Sequence, residues 1–167
     1  MDINKLYSAI MAAEHQGFLG KEGYNPWIRT KATRTGSSAF GPVQLTGGKG
    51  SMMANVAGGY SDVGASPEEL EWIKSRYLPQ ASNFLKYGGD DMQEGMERFD
   101  YGGTGDFTDK DKSMYESIAK KIMQSEYDRT GGAKDINKFI QSWRGKSYEE
   151  DPEYYDFIKE QTMMNNI

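Results

Sequence analysis

The sequence predicts a mostly α chain with one glycine-rich, irregular region and at most a small sheet. Apolar residues recur at helical spacing near the start and again through the second half of the chain, which is the signature of helices with one buried face. Strong helix-start signals stand at Ser66 and Thr108. Between the first helix and the second, Gly17, Gly20, Gly23, Gly36, Gly41, Gly47, Gly48 and Gly50, with Pro26 and Pro42, break any long regular element. With 167 residues the chain suits one well-buried core, so residues 1–167 are read as a single domain.

In chain order, Ile3, Leu6, Tyr7 and Ile10 mark a helix from Ile3 to about Glu14, flanked by Met11. Continuing that stripe leads to Glu14, so a carboxylate stands where the period asks for an apolar side chain. Partial desolvation there disfavours the charged form and raises the pKa. The alternative is that the helix has ended and Glu14 is a solvated last-turn residue. Tyr24 to Thr30 reads as a short extended segment, and Val43 to Thr46 as the start of a short helix or strand.

Ser66-Pro67-Glu68-Glu69 has a capping residue, a first-turn proline and a glutamate at the capping-box position. The helix it starts runs through Leu70, Ile73 and Tyr77 toward Leu85, with a break near Pro79. A short helix around Asp91 to Phe99 precedes a second glycine-rich turn, Asp100 to Gly105. Thr108 caps a long helix carrying Tyr115, Ile118, Ala119, Ile122 and Tyr127, ended by Gly131-Gly132. Two more helices follow, from about Asp135 to Trp143 and from about Pro152 to Met164. Their faces, Ile136, Phe139, Ile140 and Trp143 in one and Tyr154, Phe157, Ile158 and Thr162 in the other, read as core closure.

Composition removes several classes of function. A net charge of −5 provides no basic footprint for nucleic acid, which is not expected as a partner. The absence of cysteine excludes disulfides, thiolate metal sites and a cysteine nucleophile. No segment approaches the run of about 18 apolar residues that a membrane span needs, so no stable membrane insertion is expected. The start, Met1-Asp2-Ile3-Asn4-Lys5, does not read as a signal peptide, which predicts synthesis in the cytoplasm. The run Gly47-Gly48-Lys49-Gly50-Ser51 lacks phosphate-loop spacing.

Residue types narrow the chemistry further. His15 is the only histidine, and no metal-ligand spacing accompanies it, so neither a metal nor a cofactor is expected. His15 reads as a surface residue or one standing behind a functional group. Serine-nucleophile catalysis would have to use that histidine, without a G-x-S-x-G elbow. Carboxylate chemistry remains, and a single glutamate of raised pKa suffices to protonate a glycosidic oxygen.

Glu14 at a helix end, then Ser37-Ser38-Ala39-Phe40-Gly41-Pro42-Val43-Gln44-Leu45-Thr46, then Tyr101-Gly102-Gly103, resembles the three-part signature of the soluble lytic transglycosylases and goose-type lysozymes, and among them phage-encoded wall-degrading members. In that family the first motif supplies the catalytic glutamate, the second is a Ser/Ala-x-Gly-Leu-Met-Gln element and the third a Tyr-Asn-x-Gly turn. Here Pro42-Val43 replaces Leu-Met, the third motif lacks its Asn, and His15 stands where a Ser usually follows the glutamate. Tyr87-Gly88-Gly89 competes with Tyr101 for the tyrosine role.

The resemblance implies a lysozyme-like domain of the α+β lysozyme superfamily, monomeric, acting on peptidoglycan glycan strands and delivered at host lysis or within a phage particle. It implies Glu14 as general acid and then base. Gln44 and the backbone near Gly41 would hold the N-acetyl sugar, Ser37 or Ser38 would orient the carboxylate or glycan, and the Tyr101 hydroxyl, with Gly102 in its turn, would lie beside Glu14. Without the family, Gly41 is equally a turn, Gln44 an amide satisfying backbone groups and Tyr101 a packing residue. Goose-type lysozymes offer an Asp just after the Gln motif, where this chain has Leu45-Thr46-Gly47; that favours the transglycosylase over the lysozyme-type hydrolase, with Glu22 the nearest carboxylate in sequence. The rival from another class is a non-catalytic glycan-binding or virion structural protein that keeps the fold.

Overall fold

The computed structural model describes residues 1–15, 26–27, 39–79, 81 and 107–164, and these are mostly helical. The first helix, α1 (Ile3–Glu14), is capped by Asp2, whose side chain accepts from the Asn4 amide at 2.9 Å. Of the predicted stripe Leu6, Tyr7 and Ile10 are buried, joined by Ala9, while Ile3 packs on the core only partly buried. Burying a side chain such as Ile10, 0% exposed, contributes roughly 1.5–3 kcal/mol.

The stretch read as a short helix or strand at Val43 to Thr46 is instead a tight turn, closed by one isolated antiparallel bridge between Phe40 and Leu45. No strand occurs among the described residues. A short helix not anticipated from the sequence follows, α2 (Met52–Ala57), capped by Ser51. Of the segment from Tyr24 to Thr30 only residues 26 and 27 are described, as a turn. The helix expected at Asp91 to Phe99 and the turn from Asp100 lie outside the described residues.

The capping box predicted at Ser66 is present, and the Thr108 cap proves to be a second one. Ser66 and Glu69 exchange hydrogen bonds at the start of α3 (Pro67–Trp72), as do Thr108 and Asp111 at the start of α4 (Asp109–Arg129). Past Trp72 the helix widens into a π-turn over Ile73–Tyr77, in which the Leu78 amide reaches back to the Ile73 carbonyl. Gly131, at φ +103°, ends the long helix in the left-handed conformation that glycine adopts without strain. Then come a single 3-10 turn (Gly132–Lys134), α5 (Ile136–Arg144) and α6 (Pro152–Met164).

Helix α1 packs on α6 and α4, and α5 on α4 and α6. The buried apolar residues form one cluster reaching from Leu6 to Ile158. Phe139, Ile140, Tyr154 and Ile158 lie within it, which is the core closure read from the last two helices. Tyr77 and Tyr115, each 0% exposed, stand at its centre against the turn of residues 40–45. Among the described residues no helix is long and apolar enough to cross a membrane.

Candidate functional site

Glu14 is half-buried at the last position of α1, and the packing of α1 on α6 sets its surroundings. The Tyr154 hydroxyl, from the first turns of α6, donates to Glu14 Oε1 at 2.9 Å. Burial pushes the Glu14 carboxyl above its ordinary value; the Tyr154 hydrogen bond and Arg144 pull it back in part, Asp151 adds to the rise and Lys146 opposes it, and the net direction is up. The Tyr154 phenol is itself pushed far up, by burial and then by Glu14, so it stays protonated and acts as a donor. The Arg144 guanidinium lies over the Tyr154 ring, 5.0 Å from its centre, and its Nε donates to Asp151 Oδ2 at 3.2 Å. Glu14 is thus a shielded carboxyl with a neutral donor on one oxygen and cations at a remove. It is not the solvated last-turn residue of the alternative reading.

The next residue connects this helix end to the glycine turn. His15 is 6% exposed, and its Nε2 lies 3.1 Å from the Gly41 carbonyl. A carbonyl only accepts, so Nε2 carries the proton. Burial holds the ring below its ordinary pKa, opposed by its hydrogen bonds to the Gly41 and Pro42 carbonyls. The same Gly41 oxygen accepts from the Gln44 side chain, Nε2 at 2.9 Å, and from the Gln44 amide at 3.2 Å. His15, the residue after Glu14, and Gln44 are therefore linked through the Gly41 carbonyl.

Two buried tyrosines hold the turn from below. Tyr115 donates its hydroxyl to the Phe40 carbonyl at 2.8 Å and receives the Val43 and Leu45 amides, each at 3.4 Å. Tyr77 donates to the Leu45 carbonyl. Burial pushes both phenols far above their ordinary values, so both remain donors. Gly41, at φ +82°, has no room for a side chain: a Cβ there would meet Tyr115 ring atoms at 2.7 and 2.8 Å. Gln44 also has positive φ, +54°, an unusual conformation for a residue with a side chain. In this state its amide braces its own turn.

Of the residues singled out by sequence, Gly41 and Gln44 are hydrogen-bonded to each other, and the His15 ring beside Glu14 in the chain reaches Gly41. Ser37, Ser38, Tyr101 and Gly102, with Tyr87 and Glu22, lie outside the described residues. The tyrosine found beside Glu14 among the described residues is Tyr154, which the sequence marked only as core. No local signal ties it to a residue 140 positions earlier. His15 had a usable signal: it stands four residues after Met11 on the side of α1 that packs against the core, which places it inside.

Glu69 and Asp111 are more deeply buried than Glu14, and their chemistry differs. Burial alone would raise Glu69, yet Lys121, the Ser66 amide and the Ser117 hydroxyl outweigh it and hold the carboxyl at about 2. For Asp111, Arg76, the Thr108 amide and hydroxyl and the Trp72 indole N–H do the same, again to about 2. Both are anchors, permanently ionised near neutral pH. Among the described residues no group of three or more His, Asp or Glu is placed to hold a metal ion. No protein-family model, curated protein or solved structure matches this chain.

Proposed function

We propose that this protein is a peptidoglycan-cleaving lytic transglycosylase with a lysozyme-like fold, acting on the β-1,4 bond between N-acetylmuramic acid and N-acetylglucosamine. The observation that carries the reading is Glu14: a half-buried carboxyl of raised pKa, joined through His15 and Gly41 to Gln44. Burial makes such a carboxyl hold its proton more tightly than an exposed one, which suits a group that must deliver a proton as the bond breaks.

In the reaction, protonated Glu14 delivers its proton to the glycosidic oxygen as the bond breaks and positive charge develops on the muramic acid ring. The resulting carboxylate then takes the proton of the same sugar's 6-hydroxyl, whose oxygen closes a 1,6-anhydro ring. Glu14 ends as it began, and no water is consumed. Tyr154 keeps one carboxyl oxygen in place throughout. The Gly41–Gln44 turn, fixed by Tyr77 and Tyr115, offers a rigid wall for the N-acetyl sugar.

Lysozyme-type hydrolysis of the same bond has one observation in its favour: Asp151, whose charge acts on Glu14, is the second carboxylate that hydrolysis of this type calls for. Its pairing with Arg144 weighs against a role as base. Incubation with purified cell walls, followed by mass spectrometry of the released fragments, tests both readings. Anhydro ends, lighter by one water than hydrolysed ends, are expected for wild type and none for Glu14→Gln. Hydrolysed ends would select the lysozyme reading, and equal lysis by wild type and Glu14→Gln would remove Glu14 from the chemistry.

A further inference from the structure

On another part of the surface, three cavities adjoin along α2, the loop after it and the C-terminal half of α4. The first, of about 260 Å³, and the second, of about 250 Å³, share Val56, Ser61, Asp62 and Val63. The second and a third, of about 530 Å³, share Arg129. They follow one another along the surface, a trough interrupted at Arg129, and their polar side chains include Asn55, Ser61, Asp62, Ser125, Gln141 and Ser142. None of the residues lining it touches Glu14 or the Gly41–Gln44 turn in the contacts described above.

We propose that this trough is a second binding site, for a neutral oligosaccharide, with Tyr60 as its stacking platform. Tyr60 is 86% exposed, the most open of the large apolar side chains among the described residues. One edge of its ring passes close to Gly58, where a Cβ would stand 3.0 Å from two ring atoms. The Tyr60 and Ser61 amides both bond to the Asn55 carbonyl, at 2.9 and 3.2 Å, which fixes the backbone of Tyr60 between Gly59 and Ser61, two residues that line the cavities. An exposed aromatic face near hydroxyl, amide and carboxylate groups matches a pyranose, with its apolar C–H face and its ring of hydroxyls.

The charges in the trough point to a neutral ligand. Asp62 and Glu126 are matched by Arg129 and Lys138. Arg129 clasps Glu126 through Nη2 at 2.7 Å and Nε at 3.2 Å, and Ser142 bonds to both, at 2.7 Å to Glu126 and 3.1 Å to Arg129. Asp62 accepts the Gly64 amide at 3.0 Å. Arg129 keeps the Glu126 carboxyl below its ordinary value, so it has no proton to give at neutral pH, and the trough binds rather than cuts. That the saccharide is a strand of cell-wall glycan rests on the reading of Glu14 above; the binding of a neutral saccharide does not.

The test is NMR titration of the Glu14→Gln protein with the β-1,4-linked hexamer of N-acetylglucosamine. Amide signals of residues 55–63 and 125–142 are expected to shift saturably, and Tyr60→Ala to weaken the Kd read from them about three- to tenfold. Tyr60→Ala in the otherwise wild-type protein is expected to leave cleavage of short soluble glycans unchanged. Silence of those signals, or an unchanged Kd in Tyr60→Ala, would overturn the proposal. Shifts confined to Glu14, Gly41 and Gln44 would overturn it while sparing the reading of Glu14. Shifts in the trough, with full wall cleavage by Glu14→Gln, would leave the second site standing and remove the first.

Discussion

Glu14 and the pair Glu69 and Asp111 are carboxylates drawn into the same fold, and they differ in which end of a helix they occupy. Glu69 and Asp111 stand in the first turns of α3 and α4, where free amides and the positive end of the helix dipole favour a negative charge. Glu14 closes α1, where the carbonyl end disfavours it. The partners follow the same division. Lys121 and Arg76 bring full charges to the anchors, whereas Glu14 receives a neutral phenol. Burial works against the charge on each of them; the ion pairs and hydrogen bonds at Glu69 and Asp111 overcome it, and those at Glu14 do not.

The largest effect expected from probing this contrast is at Glu14 itself. Glu14→Gln should lower wall cleavage by roughly 10²–10⁴-fold, the usual weight of a general acid. It should also raise the melting temperature at pH 7. The sign follows from the direction of the shift: a carboxyl whose folded pKa is raised contributes stability below its unfolded pKa and loses it as pH rises through the folded value. Glutamine avoids that loss, so a lower melting temperature at pH 7 would break the contrast.

Asp111→Ala comes next and should cost about 3 kcal/mol in urea unfolding, because it removes a cap together with the buried ion pair to Arg76 and the Trp72 hydrogen bond. Its pH dependence runs opposite to that of Glu14. With a folded value of about 2 against an ordinary 3.8, Asp111 contributes fully above the ordinary value and loses that contribution as pH falls through about 2. The stability curve of Asp111→Ala should therefore be flatter than wild type over that acid range.

Smaller effects sharpen how Glu14 is held. His15→Ala should cost about 1–2 kcal/mol, having removed a buried hydrogen bond between α1 and the turn, and should lower kcat more than it raises KM. Tyr154→Phe should cost about 1 kcal/mol or less. NMR titration should then show the Glu14 carboxyl moving further up, since the donor that favours its charged form is gone. A downward move would mean that the phenol does not hold the carboxylate.

What could be read in advance divides along a similar line. The starts of α3 and α4 were legible because Ser66 with Glu69 is a local pair three residues apart and Thr108 a local cap, to which the structure adds Asp111. Glu14 was legible as an acid on an apolar stripe. Its partner was not: Tyr154 fits the core-facing period of α6, and its hydroxyl finds Glu14 only when α6 packs on α1. The turn at Val43 to Thr46 was misread as the start of a regular element because its shape is imposed by the hydroxyls of Tyr77 and Tyr115, from helices later in the chain. Helix α2 is short, with a lone serine cap and glycines on both sides, too little periodicity to register.

The π-turn over Ile73–Tyr77 bears on how the chain could lose or gain residues. In an α-helix, residues five apart point about 140° away from each other and residues four apart share a face. Trp72 and Tyr77 are five apart, yet both are buried and their rings lie 5.8 Å apart, because the wider turn absorbs one position. This segment therefore carries a spare residue. Deleting exposed Ser75 would return the stretch to an α-helix with both rings still inward, whereas inserting a residue there would turn one of them to solvent; length variation here has a direction.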